Sequence, residues 1–287
     1  MNSTNTIQLK DGRELSYTEY GDLKGKPFFF FHGWPVSRLS GAVADKAAKK
    51  LGIRVISPDR PGYGLSDFKK DRQLLDWADD VSELAEKLKI KKFAVVGVSG
   101  GGPYAAICAF KIPKRLTKVG IVVGLAPTWI PGALDGMAWN SKVAWANYAR
   151  FPFTRTIGAF LNYIYLLKYF PSFGIHRFVW GAKADRDIYN DPFVRKESKA
   201  NYREAFRSGY KGVEYDLELY TKDWGFELSQ IKAPVYLWYG GDDKNVSLNM
   251  GKYYHSQIKG SKLKVYPGEG HLISRTHIEE ILQILVK

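Results

Sequence analysis

The chain reads as an α/β protein: a mostly parallel sheet of eight strands, helices on both faces, and a helical piece inserted late. Three observations predict this. From residue 27 to 125, short apolar runs alternate with segments of helical periodicity. The alternation then breaks and resumes at Pro234. The break holds prolines and aromatics but few strand-like runs. Strand–helix alternation implies parallel strands joined by crossover helices.

Taken in order, residues 6 to 20 alternate in polarity around Asp11-Gly12, which predicts an antiparallel hairpin with a type I′-like turn. Pro27 to Phe31 is a continuous apolar run, as expected of a strand covered on both faces. A helix is expected over about 39–51 and a buried strand over Ile53 to Ser57. An amphipathic helix is expected over Arg72 to Leu88. Lys92 to Val98 is a strand, Pro103 to Ile112 a helix, and Val119 to Leu125 the next strand. After the break come a strand at Pro234 to Tyr239, a helix at 248–258, a strand at Leu263 to Tyr266 and a helix from Thr276 to Leu285.

The interruption divides the chain into a core (1–126), a helical cap insertion (127–228) and a second core part (229–287). Between 127 and 226 lie five of the eight tryptophans and nine of the eighteen tyrosines. An insertion leaving the C-terminal end of a strand overlies the crevice where α/β sheets bind ligands. Its aromatics suit an apolar pocket wall, although most of them serve the insertion's own packing.

The segment from Lys91 to Lys111 organises the rest. Its strand meets Gly97-Val98-Ser99-Gly100-Gly101, and a helix follows at once. A turn so sharp drives its apex residue toward unfavourable backbone angles and demands small neighbours. Ser99 would stand above the sheet edge at a helix N-terminus, where negative charge is favoured. This is the G-x-S-x-G nucleophile elbow.

A serine hydroxyl needs a base, a carboxylate to orient the base, and donors for a developing oxyanion. Of five histidines, His32 sits in a tight loop, His176 in the insertion, and His255 and His277 on predicted surface helices. His271 follows a strand through Pro267-Gly268-Glu269-Gly270, on the same sheet edge as Ser99, and is the expected base. The strand ending at Tyr239 leads into Gly240-Gly241-Asp242-Asp243-Lys244-Asn245-Val246. Asp243 is the expected acid, with Asp242 and then Asp135 as alternatives. The oxyanion donors are expected to be the backbone amides of Gly100 and Trp34.

Composition narrows the class. The single cysteine, Cys108, excludes an intrachain disulfide and reads as a buried filler. The N-terminus lacks an apolar stretch of signal type, and no apolar run reaches membrane-span length, so a cytoplasmic location is the expectation. Net charge is +14, but residues 126–230 carry 14 Lys or Arg against 11 Asp or Glu, a net of +3. The excess therefore lies on the core's outer face and serves solubility rather than nucleic-acid binding. Neither a nucleic-acid nor a membrane partner is expected, and monomer and homodimer both remain open.

Five ordered motifs now carry a resemblance: HGWP, DRPGYGLSD, GVSGG, GGDDKNV and EGH. With the chain order Ser, Asp, His, they make the sequence similar to α/β-hydrolase fold serine hydrolases with a helical cap, over nearly its whole length. Haloalkane dehalogenases and epoxide hydrolases of that fold resemble it around HGWP but use aspartate where this chain has Ser99. Proline iminopeptidases carry a GGSWG-type elbow, not GVSGG. In such proteins the Asp59 to Gly64 turn is structural. The resemblance implies a cofactor-free, metal-free hydrolase of small or medium carboxylic esters with an apolar part. Carbon–carbon hydrolase, lactonase, aminopeptidase and non-catalytic ligand-binding readings stay open.

Overall fold

The computed structural model describes residues 4–168 and 181–287, with the side chains of 165–168 left aside. Eight strands form one sheet: β1 Thr4–Gln8, β2 Glu14–Gly21, β3 Lys26–Phe31, β4 Ile53–Pro58, β5 Phe93–Val98, β6 Leu116–Val122, β7 Val235–Gly240 and β8 Lys262–Tyr266. Their spatial order is β1-β2-β4-β3-β5-β6-β7-β8. The pairs β1–β2 and β2–β4 are antiparallel, and all pairs from β4 through β8 are parallel. The predicted fold class is what the structure shows.

The four phenylalanines of β3 show why this sheet needs cover on both sides. All four are at most 2% exposed, and they alternate between two cores. Phe29 and Phe31 join the core beneath α2 (Asp76–Lys87), α3 (Gly102–Lys111) and α9 (Leu248–Gln257), with Val81, Ala105 and Met250. Phe28 and Phe30 join the core beneath α1 (Asp45–Leu51) and α11 (Ile278–Val286), with Ala48 and Leu282. A period of two across a doubly covered strand requires this division.

Two expectations need correction. The first hairpin does not turn through a type I′ pair. The Gly12 amide donates to Leu9 O (2.9 Å) and the Leu9 amide to Arg13 O (2.7 Å), and Gly12 has φ +88°. This is a three-residue loop closed by a glycine in the left-handed region. The strand expected at Val119 to Leu125 begins and ends three residues earlier, at Leu116–Val122. Val123, at φ +42°, turns the chain out of the sheet although the apolar run continues.

Between β6 and β7, themselves hydrogen-bonded neighbours, the described residues form helices and no strand. These helices are α4 (Trp139–Arg150), α5 (Phe153–Lys168), α6 (Lys183–Tyr189), α7 (Pro192–Ala205) and α8 (Lys211–Thr221). The short α10 (Ile273–Thr276) follows β8. No helix of the described residues is long and apolar enough to cross a membrane.

Candidate active site

Parallel strands deliver their C-terminal ends to one edge of the sheet, and the candidate residues follow those ends. Ser99 sits at φ +55°, a strained position for a side chain with a β-carbon. The turn closes so tightly that a β-carbon on Gly97 would stand 2.1 Å from Gly101 O, and one on Gly101 2.3 Å from Phe31 O. Small residues at both positions are a steric requirement, as the elbow motif implies.

His271 reaches this serine from the loop after β8. Its Nε2 lies 3.0 Å from Ser99 Oγ, and its Nδ1 lies 2.7 Å from Asp243 Oδ2. The Asp243 carboxylate is 2% exposed. Its other oxygen accepts the amides of Asn245 (2.7 Å) and Val246 (3.0 Å), which fixes the carboxylate's orientation. The three residues expected to act together are therefore in one hydrogen-bonded line. The alternatives are elsewhere: Asp242 is exposed, and Asp135 is exposed and paired with Lys142 at 2.5 Å.

Trp34 and Gly100 are also brought together. A β-carbon on Gly100 would stand 2.9 Å from Trp34 Cβ and 3.1 Å from the Trp34 amide nitrogen. Gly33 also packs closely: its β-carbon would be 3.3 Å from Ser99 Cβ. The indole Nε1 of Trp34 donates to Val213 O (3.0 Å), tying this loop to α8.

The other described histidines take no part in this line. His32 is fully buried; desolvation, then the Arg60 guanidinium, push its imidazole well below the ordinary range, so it is neutral. Its Nε2 accepts the Arg60 amide at 3.2 Å, a packing role inside the loop. His255 meets Ser261, and His277 meets Glu269 while stacking on Tyr266. His176 lies outside the described residues. Cys108 is buried, and burial pushes its thiol up, as befits a filler.

Three groups that the sequence reading passed over support the site. Asp185 on α6 accepts the amides of His271 and Leu272, each at 2.8 Å. It is 1% exposed, and burial pushes its carboxyl up against the lowering pull of those two amides. Asp216 on α8 is fully buried and accepts from Arg60 (2.7 Å), Arg72 (2.5 Å), Tyr104 (2.5 Å) and Tyr63 (2.8 Å). Burial alone would raise its carboxyl, but the Arg60 and Arg72 guanidiniums outweigh that and hold it well below the usual range. Arg60 in turn donates to His32 O and, at 2.9 Å, to Gly33 O, so the network grips the loop carrying Trp34. The Asp59 to Gly64 turn is structural: a β-carbon on Gly212 of α8 would lie 2.3 Å from Gly62 O.

Two cavities meet at Ser99 and His271, sharing Trp34 and Asn245 as walls. The larger, about 140 Å³, runs past Val36, Val194, Asn201 and Tyr202. The smaller, about 50 Å³, is closed by Leu125, Trp145, Tyr220 and Val246. Asn245 and Trp145 were not singled out from the sequence; the first belongs to the GGDDKNV motif, while nothing distinguishes Trp145 from its aromatic neighbours.

Comparison with known proteins agrees with this architecture. The chain is 33% identical over 285 residues to a non-heme chloroperoxidase of Streptomyces lividans, covering 96% of this chain and 95% of that one. It is 26% identical over 283 residues to a bifunctional esterase/perhydrolase of Acinetobacter calcoaceticus, with the same coverage. Among solved structures, a bromoperoxidase from Bacillus anthracis superposes with TM-score 0.72 at 22% identity, covering 99% of both chains. The sequence pattern of the alpha/beta hydrolase fold family matches residues 26–277. That match spans most of the molecule, so the chain belongs to the alpha/beta hydrolase fold family.

Proposed function

We propose that this protein is a serine hydrolase that cleaves small to medium carboxylic esters with an apolar part. The observation that carries the reading is His271 held between Ser99 Oγ at 3.0 Å and Asp243 Oδ2 at 2.7 Å. With Nδ1 donating to Asp243, Nε2 is left to accept the serine proton as Oγ attacks the carbonyl carbon. The backbone amides of Trp34 and Gly100 stabilise the oxyanion, and the protonated imidazole returns its proton to the leaving alcohol. Water, deprotonated by the same imidazole, then releases the acid. The described helices between β6 and β7 act as a cap, of which α4 and α7 wall the two cavities. No step calls for a metal or an organic cofactor.

The test is turnover of p-nitrophenyl acetate and butyrate by the purified protein and by Ser99→Ala. Removal of the serine abolishes burst and steady state alike. Slow turnover unaffected by Ser99→Ala, or tight ligand binding without turnover, overturns the reading.

A second outcome of the same acyl-enzyme is favoured by the names of the relatives, one an esterase/perhydrolase. Hydrogen peroxide in place of water would attack the acyl-serine, releasing a peroxy acid and restoring the hydroxyl. Peroxy-acid formation from acetate esters with added peroxide, absent in Ser99→Ala, checks it.

A further inference from the structure

Exposed large apolar side chains are concentrated on one part of the molecule. Of those that stand out among the described residues, only Leu23 and Phe68 lie outside residues 129–193. On α5, Phe153, Ile157, Phe160 and Leu161 are 44–63% exposed and fall at positions i, i+4, i+7 and i+8. That spacing makes one continuous stripe on a helix. On α4, Trp139 (69%) and Val143 (51%) repeat the spacing of four. The opposite side of α5 is already used: Ala159 is fully buried, and Tyr163 meets Phe206 and Tyr210. The stripe is thus not a core face, and an exposed apolar patch of this kind marks an interaction surface.

The charge around the stripe identifies the occupant. From Gly136 to Lys168 there are four Lys or Arg and no Asp or Glu. Arg155 turns inward to Tyr148 O (2.6 Å), while Lys142 and Arg150 are exposed. Three carboxylates reach this region from elsewhere: Asp135 is engaged by Lys142, Glu214 accepts from Thr156, and Glu218 lies 3.9 Å from Arg155. Exposed aromatic and aliphatic side chains on two helices that carry cations but no acid of their own, with Arg150 exposed at the end of α4, suit a bilayer interface bearing anionic headgroups. We infer that the outer face of α4 and α5 docks this protein on an anionic membrane surface. The inner side of α4 contributes Ser141 and Trp145 to the cavity at Ser99, so the docked face and the site share a helix. The expectation of no membrane partner rested on span length, which does not bear on surface docking.

The experiment is co-sedimentation of the full chain with vesicles of phosphatidylcholine alone or mixed with phosphatidylglycerol. The protein should pellet with the mixed vesicles and be released by salt. Phe153→Ser with Leu161→Ser should lower partitioning about tenfold or more. Lys142→Gln and Arg150→Gln should each lower it about fivefold on the anionic vesicles. Hydrolysis of soluble p-nitrophenyl acetate should be unchanged in all three variants. Failure to associate with either vesicle, or equal association by the variants, overturns the inference. So does a wild-type dimer on size exclusion that Phe153→Ser with Leu161→Ser dissociates, because the stripe is then a contact between copies.

Discussion

The Asp185 carboxylate grips the backbone of His271: Oδ2 accepts the His271 amide and Oδ1 the Leu272 amide, both at 2.8 Å. The acid comes from the inserted helices and the histidine from the loop after β8, so the two halves of the site are joined across 86 residues of sequence. Asp243 orients the imidazole through its ring, whereas Asp185 holds the loop that carries the ring. Two carboxylates therefore set one side chain's position from different directions.

Replacing Asp185 separates positioning from chemistry. Asp185→Ala leaves two part-buried amides without their acceptor, a cost of about 1 kcal/mol. A loop displaced by an ångström costs on the order of 10²-fold in rate. The expected result is a fall in kcat with KM changed little. Asp185→Asn, which keeps one acceptor oxygen, should recover part of the loss. Equal loss in both variants, tracking only a lower Tm, would mean the carboxylate serves folding alone.

Gly270 should give the same phenotype by a different route. A β-carbon there would stand 2.1 Å from Asp185 Oδ2 and 2.7 Å from Ala182 Cβ. Gly270→Ala must push α6 or the histidine loop aside, so kcat should fall by a similar factor. Wild-type ester turnover in Gly270→Ala would show that the loop tolerates the shift.

What the sequence made legible follows the range of the interactions. The elbow, the acid loop and the histidine loop are short motifs at strand ends, and each was placed from local spacing. Phe28 to Phe31 announced a doubly covered strand because no polar residue interrupts the run. The end of β6 was not legible: Val123, Leu125 and Ala126 continue the apolar pattern, and only a positive φ at Val123 ends the strand. Asp185 and Asp216 were invisible for another reason. A charged residue on a helix reads as surface unless its partners are known, and Arg60 lies 156 residues from Asp216.

Asp216 yields a stability prediction with a defined pH window. Its folded carboxyl titrates below the unfolded value of about 3.9. Its contribution is therefore complete above that pH and drains away as the pH falls toward the lower folded value. Asp216→Asn leaves Arg60 and Arg72 buried without their shared anion and should cost about 3–5 kcal/mol. Thermal melts at neutral pH should show the loss, and the variant's stability should vary less than wild type's below about pH 4. Because Arg60 also holds His32 O and Gly33 O, ester turnover in Asp216→Asn should fall even at temperatures where the fold persists.

The smaller cavity predicts substrate preference. Trp145 packs edge-on against Tyr220 at 6.2 Å between centroids and faces Trp34 at 6.5 Å, closing a space of about 50 Å³ beside Ser99 and Gly100. A group seated there beside Trp34 and Gly100 has room for only a short chain. Trp145→Ala removes the wall without touching the hydrogen-bonded line of Ser99, His271 and Asp243. In a series of p-nitrophenyl acyl esters, wild type should favour the shortest acyl groups. The variant should shift the maximum of kcat/KM toward longer chains, by a factor of about 10 or more per step that newly fits. Trp145→Phe, which keeps an aromatic wall, should stay near wild type. An unshifted series in Trp145→Ala would place the acyl chain in the larger cavity, past Val36 and Val194, and make the tryptophan a wall for the leaving alcohol instead.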